Sequence, residues 1–301
     1  MSASQSQFAV IGVPCDYHAA LEEVGRVIHR MFPMHSLASI ELAFARVEAA
    51  FEGRLPGYQH LQAPYHNRCH TLEVSVCTAR LLHGLHVSGT AISSHVVDAS
   101  VIAALFHDSG YLKTVSETGG SGAQFTIEHV TRSVHFARQS LSGLDADLQQ
   151  SIFEAIQATD HRMPRSSWVC SSPESELAAC VTATADMVGQ MASREYLERL
   201  LFLFFEFREA GVGGFRDLHE LLEKTMSFYQ DTRKRLFDQL EGTVNALERH
   251  FEVVLGQKRN HYLELVDRNI DYLQSILQED RDVRLAMLKR GGIVEQARQM
   301  M

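Results

Sequence analysis

Apolar residues recur at helical spacing along almost the whole chain, and this periodicity is the feature that most restricts its fold. No run of alternating β-branched residues indicates a β-sheet. Helices are predicted over Tyr17–Phe32, Leu37–Phe51, Asn67–Leu85, Ser93–His107, Ile127–Leu141, Leu148–Ala158, Glu174–Met191, Arg194–Arg208, Asp217–Leu236, 238–255, 260–278 and 280–299. The sequence therefore predicts an all-α, multi-helix bundle.

The predicted domain organisation is a loose N-terminal leader over 1–15, followed by a single helical domain over 16–301. That domain divides into a core at 60–210 and C-terminal helices at 215–301. The C-terminal helices could pack on the core, close a cleft or mediate a homodimer, and the sequence leaves all three open. The glycine-rich segment Ser116–Gln124 could be a lid or a solvated connection.

Charge and cysteine usage exclude some classes of partner. The net charge of −9 opposes broad adhesion to nucleic acid or to an anionic membrane surface. The five cysteines are odd in number and form no CxxC pair, so we expect mostly buried thiols and no disulfide framework. The first residues lack a basic segment and a long apolar run, so a cytoplasmic protein is predicted.

A first group of polar residues surrounds the start of a predicted helix. His66 and His70 are four residues apart, a spacing that places two side chains on one face of a helix. Pro64 indicates that the helix begins nearby, so that His66 lies at its first turn. In a chain with 16 histidines this pair alone is weak evidence for a site.

Two further groups are carboxylates in apolar surroundings. His107 and Asp108 end the apolar segment Val96–Phe106, and Asp186 follows the small residues Thr182–Ala185. A buried carboxylate needs a partner, either a salt bridge, a helix terminus or a cation. With His70, these residues provide two imidazoles and two carboxylates, which suits a divalent metal ion. His66 would then be placed to donate a proton to a leaving oxygen.

In this order and spacing the groups resemble the histidine–aspartate (HD) superfamily of metal-dependent phosphohydrolases, including cyclic nucleotide phosphodiesterases and bacterial HD-domain proteins. The matched blocks are Tyr65–Val74, Ala103–Tyr111, Ile156–His161 and Thr184–Met187. The resemblance implies a helical bundle that hydrolyses a phosphoester, such as a nucleotide or a cyclic nucleotide. It covers 65–190 and does not extend to the first 60 or the last 100 residues.

The resemblance also implies roles for individual residues. His70, His107, Asp108 and Asp186 would hold one divalent metal ion (Mn, Mg, Zn or Fe), Asp108 would bridge to a second, and His66 would be the general acid. Asp160 would lie behind the metal ligands.

The chain departs from the phosphodiesterase pattern after Asp108, where a further histidine is absent. His129 matches a later histidine of bacterial relatives, either as a second-site ligand or as a surface or core residue. Glu128 could orient the hydrolytic water.

Several features leave the substrate open. Gln190, Gln230 and Gln239 are equally good candidates for the glutamine that grips a purine. Lys113, Arg132 and Arg162 could bind phosphate or lie on exposed faces, and His161 could reach the metal or be a loop residue. The aromatic run Phe202–Phe205 could stack a base, although such runs are more often core.

Three functions are compatible with these residues. The first is hydrolysis of a small phosphorylated compound. The second is a di-iron oxygenase of the HD type, which would use His129 and His161 as additional ligands. The third is a metal-binding or nucleotide-binding sensor module without catalysis.

Overall fold

The computed structural model describes residues 10–12 and 15–299, and over these residues the fold is all-α, as the periodicity predicts. The described chain contains thirteen α-helices, and its only β-type pairing is an isolated bridge between Tyr58 and Thr114. The helices are α1 Tyr17–Met31, α2 Ala38–Phe51, α3 Arg68–Val87, α4 Ser94–Phe106, α5 His129–Ser140, α6 Ala146–Ala158, α7 Pro173–Ala192, α8 Tyr196–Glu209, α9 Leu218–Lys234, α10 Ala246–Leu255, α11 His261–Leu277, α12 Arg281–Met287 and α13 Ile293–Gln299.

Helix α4 lies at the centre of the bundle. From Val96 to Phe106 every residue except Asp98 is buried, as expected for a helix that is apolar on all sides. Helices α2, α3, α6 and α7 pack around it, and α3 also contacts α1 and α10. The carboxyl end of α4 therefore points into the bundle, next to the first turn of α3 and the middle of α7.

Local sequence explains where most of these helices begin. Asn67, Ser93 and Asp145 precede α3, α4 and α6, and each side chain accepts hydrogen bonds from backbone N–H groups of the first turn. Ser172 caps α7 in the same way, with Pro173 at the first helical position. The predicted boundaries are correct to within a few residues wherever such caps occur.

Two predicted C-terminal helices are wrong in extent, because glycines interrupt them. The segment predicted at 280–299 divides into α12 and α13 around Gly291 and Gly292, whose φ angles are +67° and +64°. The segment predicted at 238–255 is helical as α10 only from Ala246, after a turn in which Glu241 and Gly242 also have positive φ. Positive φ ends a right-handed helix, and glycine adopts it without steric cost.

The expectation that the cysteines form no disulfide is wrong for one pair. Residues 1–9 and 13–14 of the leader lie outside the described residues, but Ile11 is buried and its carbonyl accepts a hydrogen bond from Arg80 at 3.0 Å. Cys15 and Cys69 form a disulfide across 54 residues. An odd cysteine count does not exclude such a pair, because packing of α1 beside α3 brings the two residues together. Cys77 and Cys180 are buried thiols, as expected, and Cys170 is half-buried.

The C-terminal helices pack on the bundle. Helix α11 contacts α7, α13 contacts α8, and α9 contacts both α8 and α11. One hydrophobic core includes side chains from α1 through α13. No helix in the described part of the chain is long and apolar enough to cross a membrane.

Candidate metal centre

The four residues proposed as ligands converge at one point of the bundle. The Nε2 atoms of His70 and His107 are 3.1 Å apart. Asp108 Oδ2 lies 3.3 Å from the first and 3.2 Å from the second, while Asp186 Oδ1 lies 3.3 Å and 3.4 Å from them. Ligand atoms that share one cation at about 2.1 Å are separated by similar distances. His70, His107 and Asp186 form such a mutually close set, and Asp108 adjoins the two imidazoles.

The chemistry of these atoms fits a divalent cation. His107 donates its Nδ1–H to the carbonyl of Ala104 at 2.8 Å, so its Nε2 presents a lone pair to the cluster. Asp108 Oδ2 is buried and has no hydrogen-bond partner within the described structure. An unpaired buried carboxylate oxygen is costly, and a cation removes that cost. The residues present therefore fit a metal ion.

The pKa shifts of the cluster residues also indicate that the site favours positive charge. Burial acts to lower the pKa of His70, but the carboxylates of Asp108 and Asp186 outweigh it and raise this pKa to about 9. Burial acts to raise the pKa of Asp108 and Asp186, yet the two imidazoles hold both well below the usual range. The buried carboxylate of Asp108 and the half-buried carboxylate of Asp186 thus attract positive charge into this site.

His129 approaches the other oxygen of Asp108. Its Nε2 lies 3.7 Å from Asp108 Oδ1, and its Nδ1–H donates to the carbonyl of Thr126 at 2.6 Å. Asp108 therefore has one oxygen toward His70 and His107 and the other toward His129. Ser133 supports this arrangement, because its hydroxyl accepts from Gly110 N–H at 2.8 Å and donates to the His107 carbonyl at 2.5 Å.

His66 lies beside the cluster but outside α3. Asn67 caps that helix, so His66 precedes the cap and does not lie in the first turn as predicted. Its Nδ1 is 2.5 Å from Glu206 Oε2, and its ring stacks on Tyr111 with centroids 4.4 Å apart. Burial acts to lower the pKa of His66, but the carboxylates of Glu206 and Asp108 raise it overall. The imidazole is thus held so that Nε2 is free.

Two predicted members of the site, Glu128 and Asp160, have no described contact with the cluster. Glu128 is exposed at the start of α5 and is not among the residues that line the cavity beside the cluster. Asp160 lines that cavity, but both of its oxygens bind Arg162 at 2.8 Å. The described contacts therefore do not include Asp160 among the supports of the cluster.

The three candidate phosphate-binding residues lie in different surroundings. Lys113 donates to the Gly120 carbonyl at 2.6 Å, and Arg132 binds Glu117 at 2.9 Å, so both hold the segment Ser116–Gln124 in place. Glu209 of α8 accepts from the backbone and hydroxyl of Ser121 in the same segment. Arg162 alone of the three cations lines the cavity. This segment is tied down on two sides, which favours a fixed connection over a lid.

A cavity of about 660 Å³ opens in front of the cluster. Its polar end includes His66, Asp108, Asp186, His129 and His161. Gln190 lines it, whereas Gln230 and Gln239 are not among the lining residues. In the run Phe202–Phe205, Phe202 and Phe204 are buried in the core, as the favoured interpretation predicted, and Leu203 faces the cavity.

Three residues around the cluster, Glu206, Tyr111 and Ser133, are not predicted as site residues by the sequence. Glu206 is the acidic residue in the aromatic stretch Phe202–Phe207 and its side chain is 1% exposed. A single carboxylate on an otherwise apolar helical face is a signal for a buried partner, and that signal was available. Tyr111 and Ser133 have no comparable local signal.

Part of the chain is similar to one family of known proteins. Residues 115–249 are similar to the Npun_R2479-like family, which covers less than half of the chain. The matched segment includes His129, Asp186 and Glu206 but not His70 or His107. No curated protein matches the chain. The resemblance to the HD superfamily therefore stays a prediction.

Proposed function

We propose that this protein is a metal-dependent phosphohydrolase that cleaves a phosphoester at the cluster of His70, His107, Asp108 and Asp186. The observation that carries the proposal is the approach of His70 Nε2, His107 Nε2 and Asp186 Oδ1 to within 3.1–3.4 Å of one another, with Asp108 beside them. Asp108 and Asp186 also line a cavity that contains His66. When bound, a divalent cation would supply Lewis-acid activation of water and of a phosphoryl oxygen.

The residues of the chain have separable roles in this proposal. His70 and His107 supply neutral nitrogens, and Asp186 supplies a carboxylate oxygen. Asp108 offers Oδ2 to the same position and Oδ1 to a second position beside His129, 3.7 Å away. His66, oriented by Glu206, gives its proton to the leaving oxygen. One or two metal ions per site are compatible with this arrangement.

Hydrolysis of bis(p-nitrophenyl) phosphate and p-nitrophenyl phosphate tests the proposal directly. Purified protein is assayed with added Mn²⁺, Mg²⁺ or Fe²⁺ and with no metal, beside His70→Ala. His135→Ala is the matched control, because His135 is an exposed histidine of α5. We expect metal-dependent release that is lost in His70→Ala and kept in His135→Ala. Equal release by His70→Ala and the unchanged protein would contradict the proposal.

Metal content separates the ligands from the proton donor. His70→Ala and Asp186→Ala should lose bound metal and activity together. His66→Ala should retain metal and lose about 10²- to 10⁴-fold in rate. Full activity of His66→Ala on esters with poor leaving groups would exclude it as the general acid.

The same donor atoms could also hold iron. The position of His129 next to Asp108 supports a di-iron oxygenase as the second candidate function. A di-iron oxygenase would bind iron and consume oxygen during turnover, whereas phosphoester hydrolysis proceeds without oxygen. A sensor module would bind metal and hydrolyse no ester in the panel. Assays with and without oxygen distinguish these functions.

We also propose that the protein acts on a small phosphorylated compound in the cytoplasm, and a homodimer stays one of the arrangements that the sequence leaves open. The Cys15–Cys69 disulfide opposes the reducing compartment, since disulfides persist mainly in oxidising ones. Trapping of free thiols during cell lysis tests the compartment, because a cytoplasmic protein should label at Cys15 and Cys69. Sedimentation analysis tests the dimer.

A further inference from the structure

The cavity beside the cluster has two chemically different ends. At one end lie His66, Asp108 and Asp186. At the other, Leu200, Leu203 and Phe207 of α8 face the same space, at the i, i+3 and i+7 spacing of one helical face. One continuous cavity is therefore lined by charged groups and by apolar side chains.

The opposite wall of the apolar end is also hydrocarbon. Phe215, Leu221 and Phe228 line it from the connection before α9 and from α9 itself. The rings of Phe207 and Phe215 stack with centroids 5.6 Å apart and planes 7° from parallel. Phe228 lines the same space and is 42% exposed, so this end of the cavity reaches the surface.

Polar side chains near this end are already engaged within the protein. The hydroxyl of Thr225 donates to the Leu221 carbonyl at 2.8 Å, and Lys224 is bound to Glu220 at 3.2 Å and to the Gly214 carbonyl. Gln190 accepts from the Tyr65 hydroxyl at 2.5 Å and donates to the Asp186 carbonyl at 3.3 Å. Thr225, Lys224 and Gln190 thus already have partners within the protein.

We infer that the organic part of the substrate is a hydrocarbon chain, so that the protein acts on an alkyl or isoprenyl phosphoester rather than on a nucleotide. The inference rests on the proposed function, with the phosphate at the cluster and the chain between α8 and α9. The cavity volume of about 660 Å³ lies within the range of sites for small organic ligands.

Calorimetric titration with ethyl, hexyl and decyl phosphate tests this inference in the presence of Mn²⁺. Adenosine monophosphate serves as the polar competitor of similar charge. Because each buried methylene contributes about 0.8 kcal/mol, affinity should rise about three- to fourfold per added methylene until the apolar end is filled. Decyl phosphate should bind much more tightly than the nucleotide.

Substitutions in the cavity wall test where the hydrocarbon chain of the ligand binds. Phe207→Ala should weaken decyl phosphate about tenfold and leave ethyl phosphate unchanged, because it removes wall from the apolar end only. Phe205→Ala is the matched control on the same helix, half-buried and outside the cavity lining. Phe228→Ala is a second test that does not threaten folding, since Phe228 is 42% exposed, and it should weaken decyl phosphate severalfold.

Affinity independent of chain length, or tighter binding of adenosine monophosphate than of decyl phosphate, would overturn the inference. Absence of saturable decyl phosphate binding would overturn it equally. Hydrolysis is measured separately, so failure of the proposed function is distinguishable. Chain-dependent binding without metal-dependent hydrolysis would support the hydrocarbon site and refute the phosphohydrolase, and hydrolysis without chain dependence would do the reverse.

Discussion

The Nδ1 atom of His66 lies 2.5 Å from the Oε2 atom of Glu206, 140 residues later in the chain. Oε1 of the same carboxylate accepts the backbone N–H of Tyr65 at 2.7 Å, so Glu206 fixes both the backbone before α3 and the orientation of the imidazole. Because Glu206 is an acceptor, Nδ1 keeps its proton, so the proton that His66 can transfer as a general acid is the one that its imidazolium form carries on Nε2.

Glu206→Gln should slow phosphoester hydrolysis about 10- to 100-fold while metal content is unchanged. The glutamine can still accept from Tyr65, but it removes a charge that raises the pKa of His66. A general acid with a lower pKa loses its proton at lower pH, so the alkaline limb of the pH–rate profile should shift to lower pH. Glu209→Gln, an exposed change on the same helix, is the control. An unmoved alkaline limb would contradict this role.

Gly110→Ala should disturb the position of His129. A Cβ atom at Gly110 would collide with the backbone carbonyl of His129, so α5 must move away from the end of α4. We expect a loss of about 1–3 kcal/mol in the free energy of unfolding and a weaker second metal equivalent in Mn²⁺ titration. Gly84→Ala is the control, because a Cβ atom at Gly84 would collide in the same way with the backbone carbonyl of Ala246, far from the cluster. It should cost similar stability and leave metal binding intact.

Cys15→Ser should lower the free energy of unfolding by about 2–4 kcal/mol, measured by chemical denaturation without reductant. The disulfide to Cys69 closes a loop of 54 residues and thereby restricts the unfolded chain. Dithiothreitol should lower the stability of the unchanged protein to that of the variant. Cys170→Ser, at a half-buried free thiol, should have little effect. If dithiothreitol did not change the stability of the unchanged protein, Cys15 and Cys69 would not be disulfide-bonded.

The stability of the protein should fall between pH 6.5 and about pH 4. His83 and His250 are buried between α3 and α10 with their Nδ1 atoms 3.2 Å apart. Burial, followed by the charge of Arg30, lowers the pKa of His83 to about 4, and burial with Arg80 lowers that of His250 to about 2. The unfolded chain therefore binds protons first as the pH falls, which favours unfolding below the ordinary histidine pKa of about 6.5.

Denaturation midpoints from pH 8 to pH 4 test this origin. His250→Leu removes one of the two buried protonation sites, so its stability should decline less steeply over the interval than that of the unchanged protein. His18→Leu alters a side chain that is 80% exposed and should leave the slope unchanged. Identical slopes for all three proteins would assign the acid sensitivity to other groups.

The helices and most of the ligand set follow from local sequence. Helical spacing of apolar residues and the caps at Asn67 and Ser93 act over a few residues, so they can be interpreted without the fold. The same is true of a His–Asp pair that ends an apolar helix, because a carboxylate in apolar surroundings requires a partner. The sequence by itself thus determined an all-α chain, and it singled out His70, His107, Asp108 and Asp186 as candidate ligands.

Only the tertiary structure decided which distant side chains meet. Glu206 reaches His66, and Cys15 reaches Cys69, because α8 and the segment before α1 pack on either side of the start of α3. Glu128 adjoins His129 in sequence yet is exposed, and Asp160 binds Arg162 rather than the cluster. Local sequence encodes backbone preference and burial, whereas pairing across many residues depends on how whole helices pack against one another.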